Sequence, residues 1–196
     1  MGLPQAKDEH FDLAEWQALE ARTGMKYEYN FGEIYSMAGG SINHSRIGRN
    51  VMVEIDRQIN AGDKDCEVFN SDLSVEVKPN GRYVYPDVAV VCGDIDESEL
   101  VSGAVKNPIL IIEVLSEGTA NYDQNIKYRL YTRMVSVKEY LIVDQYSYSA
   151  VLYRRLGDGD LFSRLDFDHA DDIIELESID VAISLTDIYR NVSLDA

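Results

Sequence analysis

Two hydrophobic periods alternate along the chain, and between them they lay out most of its elements. In DLAEWQALEAR (12–22) Leu13, Trp16 and Leu19 fall at helical spacing, with Gly24 as the stop. KYEYNFGEIYSM (26–37) switches to strand character on either side of the turn Asn30-Phe31-Gly32. A longer helix follows over 41–60: Ile47, Val51, Ile55 and Ile59 form its core stripe, and Arg46, Arg49 and Arg57 lie on another face. Those arginines read first as a solvated face, with phosphate contact as the alternative. The middle of the chain alternates with period two through CEVFN, SDLSVEV, a PNG turn and RYVYPDVAVV. PILIIEVLS (108–116) is apolar on both faces, as a central strand covered on both sides must be. A helix over NYDQNIKYRLYTRM leads to EYLIVD (139–144), so strand, helix and strand make a right-handed crossover with parallel strands. SYSAVLYRR, LFSRLDF and DIIELE are expected to extend the same sheet antiparallel, and SLTDIYR closes the chain as a short helix. With no repeat, low-complexity tract or linker, the pattern predicts one α/β domain over 1–196.

Composition narrows the function. A chain of 196 residues, 45% hydrophobic and 27% charged, buries a substantial core unaided. Two cysteines, Cys66 and Cys92, are too few for a disulfide framework and lack the CxxC spacing of a zinc or redox site. The start, MGLPQAKDEHFD, carries no apolar signal segment, and no run reaches membrane-span length, which predicts a cytoplasmic protein without a membrane partner. The net charge of −17 argues against tight binding to nucleic acid, since phosphate contacts supply most non-specific affinity. Its distribution is uneven, however. Acids crowd DIDESEL (94–100) and 157–177, while Arg46, Arg49, Arg57, Lys127, Arg129, Arg133 and Lys138 gather elsewhere.

Three residues carry candidate chemistry. Glu113 interrupts the most hydrophobic strand, and a buried carboxylate needs a metal, a cation or a proton unless it reaches water at the strand end. Asp87 follows Pro86 inside a strand-like run, where proline removes a ladder donor; the residue either caps a turn or aims a carboxylate away from regular pairing. If strands 83–91 and 108–115 are neighbours, the two acids converge, and two carboxylates plus waters suit Mg²⁺. Lys127 shares a helical face with Asp123, Leu130, Tyr131 and Met134, so it either pairs with Asp123 one turn away or points its ammonium at buried anions.

YPDVAVV, IIEVLS, DQNIKYRLY and SVKEYLIVD, in this order, resemble the Uma-two family of bacterial endonucleases, within the PD-(D/E)xK or restriction-endonuclease-like superfamily. The resemblance runs from about Phe11 to about Arg155 and takes in YEYNFGEIYSMAGGSINHSRI and VFNSDLSVEV. It implies a mixed central β-sheet flanked by α-helices and Mg²⁺- or Mn²⁺-dependent hydrolysis of DNA phosphodiesters. Asp87 and Glu113 then match the metal-binding acids, and Glu28 the family's early glutamate. The superfamily motif has lysine two residues after the second acid; Leu115 stands there, and Lys127 on the next helix matches the lysine of the Uma-two pattern. His44 and Asp72 also fall in family-like segments, as candidate supports of the site, with a structural role first for Asp72. Nucleases of this fold often cut both strands as dimers, which leaves a homodimer open. The rival reading is a non-catalytic binding or assembly protein on the same fold, suggested by the acidity, the displaced lysine and the thirteen tyrosines.

Overall fold

The computed structural model describes residues 10–37, 39–62, 64–78 and 81–194. Helix α1 (Leu13–Thr23) starts in a capping box between Asp12 and Glu15 and stops at Gly24, whose φ of 65° suits a residue without a Cβ. Strands β1 (Tyr27–Asn30) and β2 (Glu33–Ser36) form a hairpin whose two turn residues, Phe31 and Gly32, both have positive φ. Helix α2 (Ile42–Ala61), capped by Ser41, buries the expected stripe of Ile47, Val51, Ile55 and Ile59.

Strands β3 (Cys66–Asn70), β4 (Ser74–Lys78), β5 (Arg82–Val84), β6 (Val88–Cys92), β7 (Ala104–Val105) and β8 (Leu110–Leu115) follow. RYVYPDVAVV is therefore two strands in two sheets, broken at Tyr85-Pro86-Asp87, and not the single run that its alternation predicts. Beyond a helical segment come β9 (Glu139–Asp144), β10 (Ala150–Arg155), β11 (Phe162–Phe167), β12 (Ile173–Leu176) and β13 (Val181–Ser184), then the final helix, designated α4 (Leu185–Ile188).

A six-stranded mixed sheet in the order β11-β10-β9-β8-β6-β3 forms the centre. Its β8 and β9 are parallel and its other pairings antiparallel. Every residue of β8 is buried, as expected of a strand covered on both faces. One face packs on α2, α4 and the β12–β13 hairpin through Val88, Val90, Leu110, Ile112 and Val114. DIIELE is thus not an edge extension of the sheet: β12 pairs with β13, and its alternate residues Ile174 and Leu176 turn into that core. The other face meets a second sheet, β2-β1-β5-β4-β7, through Val75, Val84, Val105, Ile111, Tyr131 and Tyr140. Trp16 of α1 lies behind that second sheet among Tyr27, Tyr29 and Tyr83.

The two cysteines, too few for a framework, form one disulfide. Antiparallel pairing of β3 with β6 sets Cys66 directly opposite Cys92 and joins the edge strand to its neighbour. Among the described residues no helix is long and apolar enough to cross a membrane.

Candidate active site

Asp87 and Glu113 come from adjacent antiparallel strands. The β6–β8 register ends at Val88↔Ile112, which puts the next pair, Asp87 and Glu113, across from each other. Beyond that point the Asp87 side chain continues the ladder: Oδ2 accepts from Val114 N–H at 2.7 Å. The conditional expectation of neighbouring strands holds, and the break after Tyr85 is what frees the carboxylate to do this.

Lys127 reaches the same place from the helical segment between β8 and β9. That segment is not the uniform α-helix predicted: residues Tyr122–Lys127 are π-helical, and only Tyr128–Tyr131 (α3) continue as α. Such wide turns inside helices are frequent at functional sites. Asp123, Lys127 and Tyr131 are all buried against the sheet, so the predicted common face survives the change of pitch.

The Lys127 ammonium lies 2.8 Å from Glu113 Oε1, 3.1 Å from Glu28 Oε1 and 3.6 Å from Asp123 Oδ1. It also donates to the Tyr85 carbonyl at 3.3 Å. The ordinary i,i+4 pair with Asp123 therefore exists but is the longest of three. Glu28 arrives from β1, whose tyrosines Tyr27 and Tyr29 point to the opposite side, into the Trp16 cluster.

Two tyrosines complete the cluster, and the sequence reading assigned them no role. Tyr131 donates to Glu113 Oε1 at 3.0 Å, and Tyr122 to Glu28 Oε2 at 2.7 Å. The signal for Tyr131 was its spacing, four residues beyond Lys127 on the same face; for Tyr122 there was none.

Electrostatically the cluster is unbalanced. Three carboxylates surround one ammonium, all of them 2–4% exposed. Burial pushes the Glu113 carboxyl well above the usual carboxylate range; Lys127 opposes this, while Asp123 and Asp87 add to it. Asp123 rises for the same first reason, burial. Burial also opposes the charged lysine, but Glu113 and Glu28 outweigh it and hold the ammonium protonated.

At the mouth of the site His44 Nε2 is 3.2 Å from Asp87 Oδ2. Burial alone would lower the imidazole pKa; the hydrogen bond and charge of Asp87 reverse the sign and raise it. His44 is placed by the first turn of α2, where Ser41 caps its N–H and also bonds Gln145. Gln145 in turn donates to the Leu115 carbonyl at 2.7 Å, tying the start of α2 to the end of β8. Asp72 does not join the site: it pairs with Lys26 at 2.5 Å on the surface.

These side chains line a cavity of about 70 Å³ bounded by Glu28, His44, Asp87, Glu113, Asp123 and Lys127. Among the described residues no three His, Cys, Asp or Glu side chains are placed to hold a metal ion together. Hard oxygens are nevertheless present as a pair: Asp87 uses Oδ2 and Glu113 uses Oε1 in the contacts above, so among the described residues one oxygen of each remains uncommitted. A two-carboxylate set fits Mg²⁺, which keeps much of its water and takes few protein ligands. Glu28 Oε1, buried without a well-formed hydrogen bond beside the ammonium, marks the same surplus of negative charge.

Comparison with known proteins gives a consistent picture. Residues 12–186 match the family Uma2, described as "Putative restriction endonuclease". The chain is 35% identical to an uncharacterized protein, slr1290, of Synechocystis sp. over 97% of each. A second uncharacterized Synechocystis protein, sll1609, is 36% identical over 74% of this chain and 81% of its own length. The fold is that of a crystal structure from Anabaena variabilis described as a putative nuclease belonging to DUF820. The TM-score is 0.70 at 19% identity, over 91% of this chain and 97% of that one.

Proposed function

Because the chain belongs to the Uma2 family of putative restriction endonucleases, we propose that it is a divalent-metal-dependent nuclease acting on the phosphodiesters of DNA at the Asp87–Glu113–Lys127 site. The observation that carries this reading is the buried cluster itself. Taking three carboxylates and a lysine out of water costs several kcal/mol per ion, and a hydrophobic core of equal volume is often as stable or more so. A protein that keeps such a cluster beside a cavity is using it.

Asp87 and Glu113, through their uncommitted oxygens, would hold Mg²⁺ or Mn²⁺, with the Val114 carbonyl as the adjacent backbone oxygen. The ion, when bound, supplies Lewis-acid neutralisation of the charge on the scissile phosphate. Lys127, kept protonated by Glu113 and Glu28, is suited to donate a hydrogen bond to the water or phosphate oxygen and to offset developing negative charge. It is not suited to remove a proton. Glu28 and Asp123 position that ammonium, Tyr131 fixes Glu113, and His44 fixes Asp87.

The test is cleavage of labelled DNA in millimolar Mg²⁺ or Mn²⁺ by the wild type, Asp87→Asn and Glu113→Gln. Each substitution should lower the rate by about 100-fold or more, the scale on which lost transition-state contacts are read. Cleavage that survives both, or that persists in excess chelator, would rule the assignment out.

A further inference from the structure

A second, larger hollow opens directly off the catalytic cavity. It has a volume of about 580 Å³ and shares His44 and Asp87 with the smaller one. Its wall is one face of α2, where His44, Gly48 and Met52 succeed one another at a spacing of four residues, and its far side is built by Lys26 and the turn at Asn70-Ser71. Two features set it apart on so acidic a molecule. Lys26 and Arg49 both line it, and among the described residues Asp87 is its one carboxylate, at the end shared with the catalytic cavity. The acid-rich stretches 94–100 and 157–177 contribute nothing to its lining. Gly48 leaves the middle of the wall open: a Cβ there would have no heavy atom within 4 Å.

The chemistry fixes the kind of ligand. A groove with cations along it, ending at two carboxylates suited to a metal ion, fits a chain of phosphates that enters by its backbone. The buried cluster is recessed: Glu28, Glu113, Asp123 and Lys127 are 2–4% exposed, while the more exposed Asp87 and His44 stand at the mouth. A phosphate on a rigid duplex stays on the outside of the helix, whereas an unpaired strand can bend one phosphodiester inward. Charge argues the same way. Duplex DNA carries one charge per roughly 1.7 Å of axis, an unpaired strand far fewer per length, so the strand meets much less repulsion from a chain of net charge −17. We propose that this groove is the subsite for an unpaired nucleic-acid strand, with Arg49 and Lys26 contacting phosphates beside the one held at Asp87. The inference rests on the nuclease reading and names its substrate class.

Lys26 is held in reserve. Its ammonium now bonds the Ser71 carbonyl at 2.7 Å and Asp72, whose side chain is 75% exposed. An exposed pair of this kind holds weakly, so a phosphate can take the place of Asp72. Removing the Asp72 charge should therefore strengthen binding.

The experiment is fluorescence anisotropy with short labelled oligonucleotides in Ca²⁺, offered as unpaired DNA, unpaired RNA and duplex DNA of the same sequence. Unpaired strands should bind about tenfold or more tightly than the duplex, with a log–log salt slope near −1.4, about 0.7 for each of two phosphate contacts. The DNA and RNA arms show which sugar the groove prefers. Gly48→Glu fills open space on a helix without backbone strain and should weaken binding about tenfold or more. Asp72→Asn should strengthen it about threefold, and Lys26→Ala should flatten the slope by about 0.7. Mn²⁺-induced stabilisation is read in parallel; Gly48→Glu should retain it and Asp87→Asn should lose it. Equal affinity for duplex and strand, or Gly48→Glu binding like wild type while the Mn²⁺ response persists, would overturn the groove and leave the nuclease reading standing. Strand binding that obeys these variants without any Mn²⁺ response would uphold the groove and remove the metal site. Failure to bind any oligonucleotide would overturn both.

Discussion

The two faces of β8 carry alternate residues of one apolar run, yet they are built on opposite principles. Leu110, Ile112 and Val114 face α2 and the β12–β13 hairpin in a core dominated by aliphatic side chains, with Tyr189 at its margin. Ile111 and Leu115 face the other way, into tyrosines and the second sheet, and between them Glu113 meets Lys127 and Tyr131. The first face is held by dispersion and exclusion of water, which tolerate approximate shapes. On the second, each buried oxygen needs a named partner, and the number of carboxylates exceeds the number of cations. The difference teaches where this fold concentrates apolar burial and where it concentrates buried charge: one residue apart, on the same strand.

The sharpest way to break the contrast is to remove one charge from the polar face. Lys127→Met leaves Glu28, Glu113 and Asp123 without their shared cation, and stability should fall by about 3–5 kcal/mol at neutral pH. The loss should depend on pH with a definite sign. Burial already raises Glu113 and Asp123 above the ordinary carboxylate value, and Lys127 is what pulls them back. Without it they rise further, the folded state binds protons that the unfolded state releases, and stability declines as pH increases through that window. Denaturation of the variant should therefore show a smaller deficit near pH 5 than near pH 8, a trend the wild type shows less. A deficit that is constant with pH would mean that the cluster is not electrostatically coupled.

On the dry face the matching change is Ile112→Ala. It removes buried aliphatic volume from the α2 core and should cost about 2–5 kcal/mol, with little dependence on pH. The two variants thus have similar size and different pH profiles, and identical profiles would erase the distinction between the faces.

Sequence alone revealed these faces unequally. The stripe Ile47, Val51, Ile55, Ile59 and the run around Glu113 announced the dry core, because hydrophobic burial depends on local periodicity and little else. Asp87 and Glu113 were legible as chemical residues because each violates its surroundings, one after a proline and one inside an apolar strand. Their convergence was not, since it depends on which strands are neighbours. Glu28 was visible only through family resemblance: nothing in YEYN says that its glutamate turns toward a helix almost a hundred residues away. Tyr131 lay on the right face but counted as an apolar residue, and the π-helical turn that aims Lys127 has no composition of its own. The same locality explains DIIELE, whose alternation shows that one side is buried but not against which sheet.

A gentler prediction converts the polar face into a dry one. Glu113→Leu combined with Lys127→Met removes an ion pair together, so no uncompensated partner of that pair is left behind. Replacing an isolated buried pair is neutral to stabilising by about 1–4 kcal/mol, but here Glu28 and Asp123 remain beside the position the ammonium leaves. The double variant should melt above Lys127→Met alone but below the wild type, because Glu28 and Asp123 stay buried without their cation, and on the proposed function it should be inactive. A loss as large as that of Lys127→Met alone would show that Glu28 and Asp123 account for all of it.

Metal provides the next smaller effect. If Asp87 and Glu113 bind Mg²⁺ or Mn²⁺ and the unfolded chain does not, a concentration of 100 times Kd adds about 2.7 kcal/mol of stability. In a chain of this size that corresponds to roughly 5–10 °C in melting temperature. Ile112→Ala should respond by the same amount, because its core lies on the other side of the sheet, whereas Asp87→Asn should not respond. A wild-type melting temperature unmoved by either ion would remove the metal from the reading and leave a charged cluster to be explained otherwise.

The smallest change separates positioning from bulk. Tyr131→Phe keeps the ring that packs 5.2 Å from Tyr140 and deletes only the hydroxyl that donates to Glu113 Oε1. Because Lys127 still donates to the same oxygen at 2.8 Å, the carboxylate is not orphaned. The expected cost is about 0.5–1.5 kcal/mol, the ordinary worth of one hydrogen bond. On activity the expectation is different in kind. If Tyr131 orients Glu113 for an ion, the variant should need more Mg²⁺ to reach half its maximal rate while KM for the nucleic acid stays near the wild-type value. A change in KM with an unaltered metal requirement would place the tyrosine on the side of packing, and the polar face would then end at Glu113.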